Sequence, residues 1–139
     1  MSLSEQDRQA MCKLHMERSE LFLQKADAYY AQCDFYTAAN RYYYACFHAI
    51  HALFVVNELY TRSHEGMNVL FSLHFVKTGV FDPKYGSLVA RMEQLRDKAD
   101  YNVLFEVGEE DLQSMRPLIH NLIEQIKEYL NKEFPFRKG

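Results

Sequence analysis

The chain has 139 residues, enough for one domain, and its hydrophobic content of 48% is that of an ordinary globular protein. Only 5 Gly and 3 Pro are present, too few for the many turns of a β-sandwich or barrel. The formal net charge is −3, whereas a dedicated non-specific DNA-binding domain is usually clearly basic. Composition therefore favours a helical domain with a hydrophobic core, in which any basic site is a local cleft.

Features that the sequence lacks indicate the cellular compartment of the protein. Cys12, Cys33 and Cys46 are odd in number and no two have CxxC spacing, so a disulfide framework is not expected. The N-terminal residues are polar and acidic, unlike a signal peptide. The most apolar stretch, at 45–56, contains two histidines and is too short to cross a bilayer. These features predict a cytoplasmic protein without a membrane segment.

Two long helices are predicted in the first half of the chain. Apolar residues recur at spacings of three, four and seven over about 4–32, so this helix buries one face. Asp34 is then the expected N-cap of a second helix over about 35–57. The second helix is apolar on nearly every face, which is typical of a helix at the centre of a bundle.

Two more helices follow a polar loop. The third is predicted at about 65–77, with Gly79 just beyond its end as the residue that stops it. Asp82 and Pro83 are an N-cap followed by a proline at the first helical position. The fourth helix therefore begins there and ends near Tyr101.

A fifth helix is predicted at about 109–132, with a kink at Pro117, which cannot donate a backbone hydrogen bond. No stretch alternates with period two for long enough to form a strand. Short loops between long helices favour antiparallel neighbours. The predicted fold is all-α: one up-and-down antiparallel bundle of four to five helices over 2–132. A tail at 133–139 is either frayed or packed on a neighbouring molecule.

Polar residues on the apolar second helix are the first candidate site. Arg41, Tyr44 and His48 are spaced i, i+3 and i+7 and so lie on one helical face. An arginine among apolar residues is costly unless it is paired or opens onto a cleft. One interpretation is a structural arginine paired with a carboxylate of another helix. The other is a ligand site, with Arg41 on a phosphate and Tyr44 stacked on a base.

The end of the fourth helix is the second candidate site. Arg96 and Asp100 are spaced i, i+4, so the simplest interpretation is an exposed ion pair that contributes about 0.3–0.5 kcal/mol. The alternative is a functional site that also includes Tyr101. Metal binding is not expected, because His48 and His51 have no Glu-x-x-His partner at the apolar centre of the bundle. We therefore predict no metal and no cofactor.

Three blocks of sequence together resemble one known family. NRYYYACFHAIHALF at 40–54, SHEGMNVLFSLHFVKTG at 63–79 and LRDKADY at 95–101 resemble the HEPN family (higher eukaryotes and prokaryotes nucleotide-binding), and more closely its small stand-alone prokaryotic branch. The resemblance extends over about residues 5–131. It implies a dimerising helical bundle that binds nucleotide or RNA. Many members are ribonucleases, and some are toxins encoded beside a nucleotidyltransferase that neutralises them.

The family's nuclease motif is only half present. Nuclease members carry an arginine followed four to six residues later by a histidine, and Arg96 matches the arginine whereas Tyr101 stands in place of the histidine. A tyrosine with a pKa of about 10 is a much poorer general base than a histidine at about 6.5. We therefore expect binding without appreciable RNA cleavage, and Tyr101→His should raise any residual cleavage. Arg41 and His48 have the motif's spacing but lie on the second helix.

The sequence thus predicts a dimeric HEPN-like bundle that binds nucleotide or RNA and acts with a nucleotidyltransferase partner. Arg41 and Arg96 would bind phosphate, Tyr44 and Tyr101 would stack or hydrogen-bond, and Asp100 would hold Arg96 in place. His48 would line the same cleft. Two alternatives remain open at this point: an active metal-independent ribonuclease toxin, and a structural interaction module whose polar cluster joins two helices.

Overall fold

The computed structural model describes residues 3–135, and within that range all regular structure is helical. The prediction of an all-α fold is therefore confirmed. Four long helices and two short ones follow in chain order: α1 (Glu5–Ala31), α2 (Phe35–Val56), α3 (His64–Phe71), α4 (Pro83–Tyr101), α5 (Glu109–Gln113) and α6 (Arg116–Glu133). None of these helices is long and apolar enough to cross a membrane.

The long helices run up and down in chain order. Ser19 near the middle of α1 donates to the carbonyl of Ala45 in α2 at 2.7 Å, and these two helices are joined by a three-residue turn. The start of α2 contacts the end of α4, where Tyr36 donates to Asp100 at 3.0 Å. The start of α4 in turn contacts the second half of α6, where Gln125 donates to the Tyr85 hydroxyl at 2.7 Å. Consecutive long helices are therefore antiparallel, as the short loops predicted.

α2 is the central helix of the bundle, as its apolar composition predicted. It packs against α1, α4, α5 and α6, and residues on all its faces are buried. Its N-terminus is capped as expected, because the Asp34 carboxylate accepts a hydrogen bond from the Thr37 amide at 3.2 Å. The start of α4 is also as predicted, with Asp82 as N-cap and Pro83 in the first turn. Side chains of α2 therefore form much of the hydrophobic core of the bundle.

Two predicted helices are more irregular than expected. The third helix is α-helical only to Phe71 and continues as a π-helical turn over Ser72–Val76 before Gly79, which adopts φ +82°. The predicted fifth helix is not continuous, because a turn at 114–115 separates α5 from α6. Pro117 consequently lies in the first turn of α6, where its missing N–H costs no helical hydrogen bond, and the expected mid-helix kink is absent.

The predicted C-terminal tail is only partly described. α6 ends at Glu133, and the ring of Phe134 packs against that of Tyr129 with centroids 6.0 Å apart. The tail therefore begins by packing on its own chain. Residues 136–139 of the predicted tail, and residues 1–2, lie outside the described range.

A polar cluster joins α1, α2 and α6 on one side of the bundle. Asp27 accepts hydrogen bonds from the Tyr42 hydroxyl and, at 3.4 Å, from Arg116 Nη2, and its other oxygen lies 3.0 Å from His120 Nε2. Arg116 Nε also donates to the Tyr42 hydroxyl at 2.8 Å, and its guanidinium stacks 3.8 Å from the ring centroid of Tyr30. Burial raises the pKa of Asp27, but hydrogen bonds from Tyr42, His120 and Arg116 outweigh this and hold the pKa below its usual value.

We expect Asp27→Asn to lower the free energy of unfolding at pH 7 by about 1–2 kcal/mol, because a partly exposed carboxylate loses charge-assisted hydrogen bonds. A carboxyl whose folded pKa is lowered stabilises the fold above its unfolded pKa, and that contribution disappears as the pH falls through the folded pKa. The difference in unfolding free energy between the unaltered protein and the Asp27→Asn variant should therefore be smaller at acidic pH. Urea denaturation at pH 7 and pH 3 measures it, with Glu17→Gln on the exposed face of α1 as the control. A deficit independent of pH would contradict this role for Asp27.

Candidate functional site

Arg96 lies where α2, α3 and α4 meet. Its side chain is only 14% exposed, and its guanidinium carbon stands 4.9 Å from the ring centroid of Tyr43. Nη2 donates to Asp97 at 2.7 Å and Nη1 lies 3.4 Å from the Tyr44 hydroxyl. Nε is buried and has no hydrogen-bond partner within residues 3–135. The guanidinium is thus held by several groups but does not use all of its donors.

His64 is the second member of this site. It is the first residue of α3, which begins where the Ser63 side chain caps the helix by accepting from the Gly66 amide at 2.8 Å. His64 Nε2 lies 3.5 Å from Arg96 Nη1, and Nδ1 lies 2.5 Å from the Tyr43 hydroxyl. The start of α3 therefore places an imidazole between a tyrosine of α2 and an arginine of α4.

The neighbours of His64 determine its tautomer. A guanidinium offers only hydrogen-bond donors, so the nitrogen that faces Arg96 must be an acceptor. Nε2 then carries the lone pair, and Nδ1 carries the hydrogen and donates it to the Tyr43 hydroxyl. This arrangement describes a neutral imidazole whose Nε2 lone pair is directed at a fixed positive charge.

The electrostatic environment keeps the His64 imidazole neutral and the Arg96 guanidinium charged. Burial lowers the pKa of His64, and the charge of Arg96 lowers it further. Burial also disfavours the charged form of Arg96, but hydrogen bonds with Asp97 and Tyr44 raise its pKa, so the guanidinium stays charged. Burial raises the pKa of Tyr43, which stays neutral. At neutral pH the site therefore contains one cation and one unprotonated histidine.

The predicted residues around Arg96 are only partly brought together. Tyr44 contacts Arg96, although its spacing had placed it on one helical face with Arg41 and His48. Asp100 does not hold Arg96, because its carboxylate accepts from the Tyr36 hydroxyl of α2, whereas Arg96 pairs with Asp97. The i, i+4 prediction failed because the guanidinium turns into the junction with α2 and α3, away from the exposed helical face on which Asp100 lies.

Tyr101 is also placed differently from its predicted role. The Tyr101 residue is 82% exposed, whereas the side chain of Arg96 is only 14% exposed. Within this one chain Tyr101 therefore does not share a site with Arg96. The residue that stands beside Arg96 in place of a motif histidine is His64.

Arg41 and His48 face α1, and neither contacts the Arg96 guanidinium within the described residues. Arg41 donates to Asn40 at 2.9 Å and its guanidinium lies 5.4 Å from the ring centroid of Phe22. The carboxylate partner that one interpretation required is not found among residues 3–135, and Arg41 Nε is buried without a partner. The ring of His48 packs against Phe22 and His15, and burial and the charges of neighbouring groups lower the pKa of His48 to about 4.

Three residues of the observed site were not predicted: Tyr43, His64 and Asp97. Tyr43 is hidden in the run of tyrosines at 42–44, where only the bundle geometry decides which ring faces α4. His64 had a usable signal, because it directly follows a serine that could cap a helix. Its distance of 32 residues from Arg96 in sequence concealed the contact.

The arrangement combines a fixed cation with a neutral base and aromatic rings. A guanidinium binds the oxygens of a phosphate, and the half-buried ring of Tyr44 is a surface on which a base can stack. No group of three or more His, Cys, Asp or Glu side chains within residues 3–135 is arranged to hold a metal ion. The chemistry that these side chains support by themselves is anion binding and proton transfer.

Comparison with known proteins identifies the family. A family model described as the HEPN domain matches residues 12–129, which include every residue of the site around Arg96. The chain belongs to the HEPN domain family.

Similar proteins come from an archaeon and a bacterium. Two proteins of Methanocaldococcus jannaschii, each named a putative toxin, are 27% and 33% identical to this chain over 115 and 95 residues. The alignments cover 83% and 68% of this chain, and 78% and 70% of those proteins. A UPF0332 protein of Thermotoga maritima is 34% identical over 98 residues, which cover 66% of this chain and 74% of that protein.

Proposed function

We propose that this HEPN domain protein binds the phosphate groups of RNA or of a nucleotide at Arg96. The observation that carries the proposal is the largely buried guanidinium of Arg96, surrounded by neutral aromatic and imidazole groups. Asp97 is its one carboxylate partner among residues 3–135, and that side chain is 48% exposed. An incoming phosphate therefore meets a cation that is only partly neutralised.

We further propose a toxin-like role in a pair with a nucleotidyltransferase. Two relatives are named putative toxins, which supports such a role for this chain. A toxin that acts on RNA needs a partner that blocks it, and the resemblance to stand-alone HEPN proteins suggests a nucleotidyltransferase as that partner. A nucleotidyltransferase gene in the adjacent reading frame would support the pair, and purification of the two proteins as one complex would test it.

Arg96→Gln should weaken binding of single-stranded RNA by about 10- to 100-fold, because hydrogen bonds to charged groups contribute about 1.5–3 kcal/mol. The slope of log affinity against log salt should become shallower by about 0.7 for each phosphate that the variant no longer neutralises. Fluorescence anisotropy at several salt concentrations measures both quantities. Arg41→Gln should weaken binding less, since Arg41 faces α1.

Arg91→Gln is the matched control, because Arg91 is an exposed arginine of the same helix whose guanidinium lies 3.4 Å from the Ser114 hydroxyl. This variant should bind RNA like the unaltered protein, and both variants should melt cooperatively. Equal affinity of the Arg96→Gln and Arg91→Gln variants would contradict a phosphate site at Arg96. It would favour the alternative in which the polar residues around Arg96 only join α2, α3 and α4.

A two-fold homodimer is the proposed assembly, and its interface is expected at the loop after α4. The apolar stripes of α4 and α6 are buried inside the bundle. Large apolar side chains are exposed elsewhere, and the most exposed are Val103 at 97% and Leu104 at 91%. Tyr101 adjoins them and would be covered by the same contact.

Sedimentation equilibrium at micromolar concentration should give twice the 16.5 kDa mass of the chain. Replacing both Val103 and Leu104 by Glu should give a monomer, because charges at an apolar interface lose hydration without gaining partners. Leu14→Glu, at an exposed apolar position on α1, is the control and should remain dimeric. A single 16.5 kDa species for the unaltered protein would rule out the dimer.

A further inference from the structure

We propose that one exposed face of α1 is a docking surface for an amphipathic helix of a partner protein, whose carboxylates pair with Arg18 and Lys25. The residues of this face, the α1 stripe, are spaced alternately three and four apart: Met11, Leu14, Arg18, Leu21 and Lys25. Such spacing places them along one side of the helix. The inference goes beyond the proposed phosphate site, which lies on α2, α3 and α4.

The apolar members of the α1 stripe do not contribute to the hydrophobic core. Met11, Leu14 and Leu21 are exposed, and Leu14 is the most exposed of them at 61%. The other large apolar side chains of α1 pack against the core: Met16, Phe22, Leu23, Tyr29 and Tyr30. Apolar residues that recur at three- and four-residue spacing on an exposed face are typical of a helix that packs on a second helix.

A cavity of about 230 Å³ opens beside the first half of the α1 stripe. Its lining contains three residues of the stripe and two histidines: Met11, Leu14, Arg18, His15 and His48. About 10–15 Å³ suffices for one water molecule, so this cavity can accept a side chain of a docked helix. Arg18 supplies guanidinium donors to the cavity, and no carboxylate of residues 3–135 lines it. An acidic side chain is therefore the polar group that fits there.

The cations of the α1 stripe have no anionic partner in the described part of the chain. Neither Arg18 nor Lys25 forms an ion pair within residues 3–135. Arg41 of α2 lies next to the stripe, because its guanidinium carbon is 5.4 Å from the ring centroid of Phe22. Arg41 also lacks an ion pair within the same range. This side of the bundle therefore carries three positive charges that an acidic partner can neutralise.

The acidic residues in the middle of α1 lie outside the stripe. Glu17 and Glu20 line a groove between α1 and α6, where Glu20 pairs with Lys127 at 3.1 Å. No carboxylate of α1 between Met11 and Lys25 therefore belongs to the stripe. The net charge of the whole chain is −3, so the positive charge of this face is local. A local charge of this kind favours a partner of the opposite charge and sets its orientation.

An acidic amphipathic helix fits the α1 stripe better than other occupants do. Arg18 is the middle residue of the stripe, so a two-fold contact between copies of this chain would place it near its own copy, and like charges repel. RNA phosphates would pair with Arg18 and Lys25 but would leave the apolar residues between them without apolar contacts. A helix with leucines at its contact positions and glutamates beside them matches both the apolar and the basic residues.

The test uses the purified full chain and a fluorescein-labelled synthetic peptide of three heptads, with Leu at positions a and d and Glu at positions e and g. The peptide should bind, and fluorescence anisotropy measures its affinity. A matched peptide with Lys in place of each Glu should bind about 10-fold more weakly or worse, because like charges then meet at the stripe. Leu14→Glu and Arg18→Glu should each weaken binding of the acidic peptide by about 10-fold or more.

Lys13→Glu is the matched control, because Lys13 is an exposed cation of α1 that lines the groove with α6. This variant should bind the acidic peptide within a few-fold of the unaltered protein. In a protein that carries both Arg18→Glu and Lys25→Glu, the basic peptide should bind more tightly than the acidic one. Such a reversal distinguishes a loss of charge pairing from a loss of folded protein.

The Arg96→Gln variant should bind the acidic peptide as the unaltered protein does, so a failure of the proposed phosphate site would leave this inference standing. Failure of the acidic peptide to bind, or equal binding of the acidic and basic peptides, would overturn it. Displacement of the bound peptide by excess single-stranded RNA would assign the stripe to RNA and would overturn it too. So would binding to phosphatidylglycerol vesicles that Arg18→Glu abolishes, because the stripe would then contact a lipid surface.

Discussion

A guanidinium inside a helical bundle costs free energy unless its charge finds partners, and Arg96 finds its partners on α2, α3 and α4. Three groups replace part of the hydration of the Arg96 guanidinium: the aromatic face of Tyr43, the lone pair of His64 and the carboxylate of Asp97. Because these groups come from three helices, their contacts also fix how α3 sits over the α2–α4 pair. The geometry of the site and the packing of this side of the bundle thus depend on one cation.

Arg116 is a second arginine of the bundle whose charge and hydrogen-bond donors have partners in the chain. Arg116 uses Nε on Tyr42 and Nη2 on Asp27, and it stacks at 3.8 Å on Tyr30. Arg96 stands farther from its ring, at 4.9 Å, and its Nε has no partner among residues 3–135. Each arginine thus has an ion pair with a carboxylate, a hydrogen bond with a tyrosine hydroxyl and a contact with a tyrosine ring. They differ in Nε, which has a partner in Arg116 and none within residues 3–135 in Arg96.

The fold was largely predictable because it depends on local signals. The apolar faces of α2, the Asp34 cap and the Asp82–Pro83 start all act within one or two helical turns. The site was less predictable because it depends on where distant segments meet. Spacing drew attention to Arg96 and Tyr44, which contact each other, but it paired Arg96 with Asp100, four residues away, since sequence cannot show which way a long side chain turns. His64 was missed because no local pattern links the start of α3 to the end of α4.

The central claim is that Arg96 and His64 form one electrostatically coupled site, and the pKa of His64 measured by NMR titration tests it most directly. The charge of Arg96 lowers that pKa, so removing it in Arg96→Gln should raise the pKa of His64. The pKa of His48, which is about 4 and depends on burial, His15 and Arg18, should not change. A His64 pKa that is the same in both proteins would contradict the account.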